Sequence, residues 1–478
     1  KKARELALQK KNELTNKAMW SDIIYVSLLL LSIAFGPFYQ KIEDRSSKQW
    51  ISTAIGLLLV TLVSGVYIYH PLIVTLVNAI IITNFSPKYH LYSLFFSFFY
   101  LLFIFRLGEL FDFPLAPTHT NLVVMMMTIK LPGLAFEINT ASKTSGDDPE
   151  GANSEAMKKI GFLDVIHYSF THMGVLTGPY YRYRTYWDSL HRPLSKYVDP
   201  WPVTFFKLKQ VAVFTALFFI MKEMFAAEYV LTEDFGEKPF LYRFFYMYPA
   251  FAIFRLRMFV GMSLSECVCQ MSGLGVYPSS TNPLPGLGPK NYKSVVELSA
   301  TPDKLKEEKL DFETIHNMNV WAVETCPLVR TCMKVWNACL QYWMATCVYK
   351  RFPNKSLRTI VTMLLSALWH GYSAGYYFCI CQVPYYLLLE DVCVKFYKQT
   401  EENSLANKGW AAFLWFMRLT CMAYYGVPFM LLSFSDIIHF YKSLYFSGHI
   451  LILLLYIGAR FLKPFILKRS TEVKSKSQ

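Results

Sequence analysis

The sequence predicts an all-α polytopic membrane protein, with about ten or eleven transmembrane helices and further re-entrant or interfacial helices. Three observations carry that prediction. Hydrophobic residues make up 54% of the 478-residue chain and charged residues only 17%, too apolar a balance for an ordinary soluble enzyme. The apolar residues fall in long runs almost free of charge; Thr359 to Leu389 has no charged side chain over 31 residues. The net charge of +14 sits mostly in tails and loops, which suits an anionic cytosolic leaflet and a polyphosphate ligand. No basic helix interleaved with aromatics and no zinc-ligand spacing occurs, so neither nucleic acid nor a metal is an expected partner. The cysteine pairs Cys267/Cys269 and Cys379/Cys381 lie in apolar runs and read as packing residues.

Taken in order, Lys1 to Ala18 is a charged, helix-prone stretch that begins without Met and reads as an upstream extension or a non-native remnant. A single membrane domain is expected over 19–467, then a basic cytosolic tail over 468–478. Ile23–Phe38, Ile51–Tyr69, Leu72–Phe85 and Leu91–Phe105 predict four spans. Arg106, Glu109 and Asp112 then suggest an interfacial ion network. Leu122–Phe136 is interrupted by Lys130 and Pro132, which predicts an interfacial or re-entrant segment. Asn139–Lys159 is polar and predicts an exposed loop. Phe162–Leu176 carries Asp164, His167 and His172. Gly178-Pro179 breaks that segment and opens Tyr180–Lys209, rich in Tyr, Arg and Lys. Two readings fit this stretch equally: an aromatic belt with snorkelling cations, or groups that hold a phosphate or stack on an adenine ring. Val211–Ala227 and Leu241–Cys267 follow as hydrophobic segments, the second with Arg255 and Arg257, which should not face lipid. Gly273–Lys293 reads as a Pro/Gly-rich loop and Pro302–Glu313 as an amphiphilic surface stretch. Ala411–Phe434, split by Arg418, and Leu444–Ala459 complete the apolar segments.

Two polar residues stand out in this pattern, Asn337 and His370. His370 lies 11 residues beyond Thr359, about 16 Å along a helix and near the middle of a roughly 30 Å hydrocarbon layer. An ionisable side chain there is costly, and imidazole is suited to take a proton near neutral pH. A neutral, hydrogen-bonded histidine inside a bundle is the competing reading. Asn337 sits in the uncharged run Val335–Tyr349, with Lys334 and Gln341 one helical turn away on either side. These three predict a polar stripe on an aromatic helix, facing protein or a water-filled cavity. The two sites are 33 residues apart across the basic loop Lys350–Arg358, a length that suits two segments folding back on each other. His167 and His172, five residues apart, are the main rivals to His370. No Gly-x-Ser-x-Gly nucleophile elbow and no His-x4-Asp motif is present.

The Trp336-Asn337 pair, the spacing to Ser366-Ala367-Leu368-Trp369-His370-Gly371, and Ser373-Ala374-Gly375-Tyr376-Tyr377 resemble the membrane-bound O-acyltransferase family. Upstream, Leu176-Thr177-Gly178-Pro179-Tyr180-Tyr181-Arg182-Tyr183-Arg184-Thr185-Tyr186 is similar to its branch that acylates lysophosphatidylinositol. The resemblance runs from about Met19 to the last span. It implies helices around a central reaction chamber and transfer of a polyunsaturated, arachidonoyl-type chain from acyl-CoA, as co-substrate, to lysophosphatidylinositol. No further cofactor is expected. His370 would act as general base and Asn337 would orient substrate or stabilise the oxyanion; Trp369, Gln341, Tyr181, Arg182 and Arg184 are candidate substrate-binding residues. Lys474 and Lys476, near the C-terminus, look like a cytosolic dilysine signal, which implies residence in the endoplasmic reticulum. Another acyl acceptor (a different lysophospholipid, a sterol or a peptide) and a membrane transporter or scaffold are the alternative functions. Protein partners are not specified by the sequence.

Overall fold

A computed structural model describes residues 2–85, 87–111, 114–144 and 155–476, which are mostly helical with almost no strand. Asp112, residues 145–154 of the expected polar loop and the last two residues lie outside the described residues. The chain divides into two compact units, one of Lys1–Val211 with Gly261–Asn317, the other of Ala212–Val260 with Met318–Gln478.

In the first unit, α1 (Lys2–Gln40) runs without interruption from the charged extension into the first apolar run. Helix α2 (Arg45–Ser64) starts at Asp44, whose carboxylate accepts the Ser47 backbone N–H at 2.7 Å, and ends at Gly65. A short 3-10 turn over Gly65–Ile68 leads into α3 (Tyr69–Asn84). Without that break the segment would be a 40-residue helix of about 60 Å, twice the hydrocarbon thickness, so the turn separates two expected spans. Helix α4 (Tyr89–Phe99) passes into a π turn over Tyr100–Phe105. Asn78 ties α3 to α4 by donating to Ser97 Oγ at 3.0 Å and accepting from Ser93 Oγ at 2.5 Å.

The stretch expected to be interfacial or re-entrant is instead one continuous helix, the most enclosed long helix of this unit. Helix α5 (Thr118–Ala141) is continuous through Lys130 and Pro132, both buried. The Lys130 ammonium can be there because it donates to the Tyr168 carbonyl at 2.9 Å and to Tyr181 Oη at 3.4 Å. It also lies 4.6 Å and 5.0 Å from the centroids of those two rings. On hydropathy alone Lys130 is a charge that must reach an interface; in the fold an aromatic cage and a carbonyl replace its water. Helices α6 (Phe162–Phe170) and α7 (Tyr183–His191) complete the packing around α5. The Gly273–Lys293 loop takes part in two short antiparallel contacts, Tyr277–Pro278 with Leu310–Asp311 farther along the chain and, within the loop, Pro283–Leu284 with Gly288–Pro289.

Long helices α8 (Trp201–Met224) and α9 (Phe240–Met271) come next in the chain. The second unit then holds α10 (Val320–Thr325), α11 (Val329–Val335), α12 (Ala338–Trp343), α13 (Arg358–His370), α14 (Ala374–Ile380) and α15 (Val383–Tyr397). It closes with α16 (Leu405–Leu431), α17 (Phe434–Ser443) and α18 (Ser447–Lys476), the last carrying the chain into its basic tail. Arg418 does not split α16. The core of this unit is aromatic, built on Phe251, Tyr386, Tyr424, Phe440 and Tyr441.

Among the described residues five helical segments are long and apolar enough to cross a membrane, or six with the bent pair Phe434–Ser443 and Ser447–Pro464. That is fewer than the ten or eleven expected on apolarity. One of the five holds both α2 and α3, and α9 and α16 are long enough at 32 and 27 residues but carry arginines. The 31-residue charge-free run is cut into α13, α14 and α15.

Candidate active site

Asn337 is not part of a continuous helical stripe. Helix α11 ends at Val335, Trp336 is extended, and Asn337 has φ 47° and ψ 51°, the left-handed region that asparagine tolerates better than most residues. Its carbonyl accepts the Gln341 N–H at 3.0 Å and so starts α12. Gln341 therefore does lie one turn from Asn337, but Lys334 belongs to a different helix and does not extend the stripe. The sequence signal for this break is weak, because Val335–Tyr349 contains neither Gly nor Pro.

The spacing between the two polar residues has a simple geometric consequence. From Ala338, α12 and the π turn Met344–Tyr349 run 12 residues to the basic loop, and α13 returns over 13 residues, packing on that π turn. Two arms of about 18 Å each are of a length that lets the chain fold back in a hairpin from Asn337 toward the level of His370. His370 is the last residue of α13. Gly371 stops the helix with φ 148° and ψ −169°, a conformation essentially restricted to glycine, and its carbonyl accepts Tyr377 Oη at 3.2 Å.

Aromatic rings join the two ends of this arrangement. The His370 imidazole meets Trp369 at 5.0 Å, Tyr376 at 5.7 Å and Phe429 edge-on at 5.2 Å between centroids. Phe429 meets Phe254 at 5.1 Å, and Phe254 stacks with Trp336, the neighbour of Asn337, at 6.4 Å. Trp369 is buried, while His370, Asn337 and Gln341 are half-buried. Phe254 and Phe429 have no signal in the sequence beyond being two of its 39 phenylalanines.

The rival histidines are held by hydroxyl groups of the first unit. His167 Nδ1 bonds Thr53 Oγ1 at 2.8 Å and its ring meets Trp50 edge-on. His172 bonds Ser52 Oγ through Nδ1 at 2.8 Å and Ser272 Oγ through Nε2 at 3.0 Å. With both ring nitrogens bonded to hydroxyls, His172 acts as a three-way tie between segments.

Tyr181, Arg182 and Arg184 also belong to the first unit. Tyr180, Tyr181, Tyr183 and Tyr186 are buried, so these four do not form an aromatic belt, whereas farther along the stretch Tyr197, Trp201, Phe205 and Phe206 are exposed and the Lys209 ammonium lies 4.5 Å over the Phe205 ring. Tyr181 donates to the Met173 carbonyl at 2.6 Å, and its own carbonyl accepts Tyr168 Oη at 2.5 Å. The Tyr183 N–H donates to Glu137 Oε1 at 2.9 Å. Buried Arg184 lies 4.2 Å over the Tyr292 ring, beside Asp188, which accepts from Tyr277 Oη at 2.7 Å and Tyr292 Oη at 2.6 Å. Burial pushes the Asp188 carboxyl above its ordinary range, and Arg184 and the tyrosine hydroxyls act in the opposite direction. Arg182 heads α7 and is half-buried. Among the described residues no cluster of three or more His, Cys, Asp or Glu is arranged to hold a metal ion.

The sequence profile described as the membrane-bound O-acyltransferase family matches residues 146–435, which include the hairpin and both of its polar ends. The chain belongs to the membrane-bound O-acyltransferase family. It is 37% identical, over 90% of both chains, to a membrane-bound acylglycerophosphatidylinositol O-acyltransferase of Drosophila melanogaster. Enzymes of the same name from Xenopus laevis (33%; 92% of this chain, 94% of the relative) and Homo sapiens (31%; 90% and 91%) are similar over comparable lengths. As a member of this family the chain is an integral membrane acyltransferase.

Proposed function

We propose that this acyltransferase moves a polyunsaturated, arachidonoyl-type acyl chain from acyl-CoA to the free sn-2 hydroxyl of lysophosphatidylinositol. The observation that carries the acceptor is the similarity, over nine-tenths of the chain, to enzymes named for acylglycerophosphatidylinositol. The acyl-chain preference rests on the resemblance of Thr177–Tyr186 to the branch that acylates lysophosphatidylinositol.

In this reading the His370 imidazole removes the hydroxyl proton as the lipid oxygen attacks the thioester carbonyl. The carbon–oxygen bond forms while the carbonyl π electrons move to its oxygen. Asn337 donates a hydrogen bond to that oxyanion or holds the acceptor in line, in surroundings of low dielectric where such a bond counts for more. Collapse re-forms the carbonyl and breaks the carbon–sulfur bond, and the imidazolium returns its proton to the CoA thiolate. The position of His370 at a helix C-terminus supports this role, because the carbonyl end of the helix dipole stabilises the cation formed between the two proton transfers. Trp369 and Gln341 are the candidate substrate-binding residues beside His370 and Asn337, and Tyr181, Arg182 and Arg184 are candidates on the resemblance of their own segment. We place the enzyme in the endoplasmic reticulum with the end of α18 cytosolic, a side favoured by the positive-inside bias of Lys463, Lys468 and Arg469.

The test is CoA release by the purified protein with an acceptor panel. Lysophosphatidylinositol should exceed lysophosphatidylcholine and lysophosphatidylserine, and arachidonoyl-CoA should outcompete palmitoyl-CoA. Equal rates across the panel would leave a general lysophospholipid acyltransferase.

A further inference from the structure

Three ionisable residues inside the apolar segments of the second unit converge on one turn, the Cys326-Pro327-Leu328 link between α10 and α11. Buried Glu390, on α15, accepts the Val329 N–H at 2.6 Å and the Arg330 N–H at 3.2 Å. Those are the first two amide groups of α11, which has no side-chain cap of its own. Buried Arg418, on α16, donates to the Val323 and Glu324 carbonyls, both at 2.7 Å, at the end of α10. Trp415, one turn before Arg418, adds its indole N–H to the Glu324 carbonyl at 2.9 Å. Arg255, on α9, holds the Glu324 carboxylate at 2.8 Å and 3.4 Å.

Each charge has the sign its helix end requires. An anion meets the amino end of α11 and a cation meets the carbonyl end of α10. Burying ions in a membrane protein is costly, and removing one partner would leave the other uncompensated, so this turn has one well-defined position. At the far side the Asn319 N–H donates to the Val335 carbonyl at 3.2 Å, closing the two helices into a short hairpin. The next residues are Trp336 and Asn337. Helix α11 is only seven residues, about 10 Å, so a tilt at its amino end is carried directly to the Asn337 break.

Helix α16 also sets the opposite side of the site. Phe429, three turns beyond Arg418, packs on His370, and α14 docks on the Pro428–Leu432 backbone through Gly375. One rigid helix therefore references both polar residues.

We infer that Glu390 and Arg418 are positioning residues for acyl transfer, clamping the α10–α11 turn so that Asn337 is delivered to the end of the hairpin where His370 lies. The inference rests on the proposed role of Asn337, and a double-mutant cycle separates the two. Glu390→Gln keeps the shape of the side chain but loses the charge and one acceptor. It should lower kcat at least tenfold, with KM for acyl-CoA and acceptor within about twofold of wild type, because the clamp touches neither substrate. Glu390→Asp should recover part of that loss. Asp391→Asn, which breaks only the exposed pair with Arg330, should retain wild-type turnover. In an Asn337→Gly background, Glu390→Gln should cost nothing further, since the group it positions is gone. Arg418→Lys gives the same cycle from the other side of the turn if Glu390→Gln does not yield folded protein. Unchanged kcat in Glu390→Gln and Arg418→Lys would overturn the clamp, as would factors that multiply in full with Asn337→Gly. Wild-type turnover in Asn337→Gly alone would instead remove the role of Asn337, and the clamp's purpose with it.

Discussion

Gly375→Ala changes one hydrogen to a methyl group and tests how tightly the His370 environment is held. A β-carbon at Gly375 would lie 2.1 Å from the Pro428 carbonyl oxygen and 2.9 Å from the Leu432 α-carbon. Both are backbone atoms at the end of α16, so no side-chain rotation can relieve the overlap. Reaching an ordinary contact of 3.4 Å with the oxygen requires α14 to move by about 1.3 Å. The Gly375 N–H to Leu432 carbonyl bond, now 3.0 Å, would be disturbed by that movement. Two effects then oppose each other in stability. Alanine favours a helix over glycine by about 1 kcal/mol, whereas overpacking costs about 1–3 kcal/mol, so the net loss should be about 0–2 kcal/mol. Catalysis is the more sensitive quantity. The adjacent Tyr376 ring sits 5.7 Å from the His370 imidazole and 4.9 Å from Phe429, so the shift passes straight to the proposed base. Displacements of about 1 Å at reacting groups cost up to roughly 100-fold in rate, and we expect kcat to fall by about 10–100-fold. The assay is CoA release in detergent micelles, with a thermal melt to confirm folding. Gly458→Ala is the control, because a methyl there meets open space. Wild-type turnover in Gly375→Ala, or the same loss in Gly458→Ala, would refute the reasoning.

Two further substitutions test the site itself. His370→Ala should abolish CoA release in a folded, membrane-inserted protein, while His167→Ala and His172→Ala retain more activity; the reverse order would move the reacting centre into the first unit. Asn337→Gly keeps the left-handed backbone without strain and removes only the amide, so a fall of about 10- to 1000-fold would assign the effect to the side chain. Gln341→Ala should matter less, and turnover near wild type in Asn337→Gly would show that Asn337 serves only to turn the chain.

Residue order alone is enough for the class of fold and for the two residues that carry the proposed chemistry. Long charge-free runs cannot be soluble surface, and a histidine or an amide within them must face protein or water, so His370 and Asn337 are legible from residue order alone. The 33-residue spacing also suits a fold-back, because two helical arms of nearly equal length can return to the same level. What the sequence did not determine was where the helices stop and what the ionisable groups meet. The Asn337 break carries no Gly or Pro, and only the packing of Trp336 on Phe254 and the capping of α11 by a residue 60 positions away make it visible. Lys130 illustrates the same limit. Apolarity predicts that a lysine ends a buried helix, but a carbonyl and two tyrosine rings from distant segments replace its hydration, and the helix continues. Arg418 and Glu390 interrupt apolar runs in the sequence, yet in the folded chain they cap helix ends. Hydropathy is a property of each residue alone, whereas the cost of burying a charge depends on partners that only tertiary structure brings within hydrogen-bonding distance.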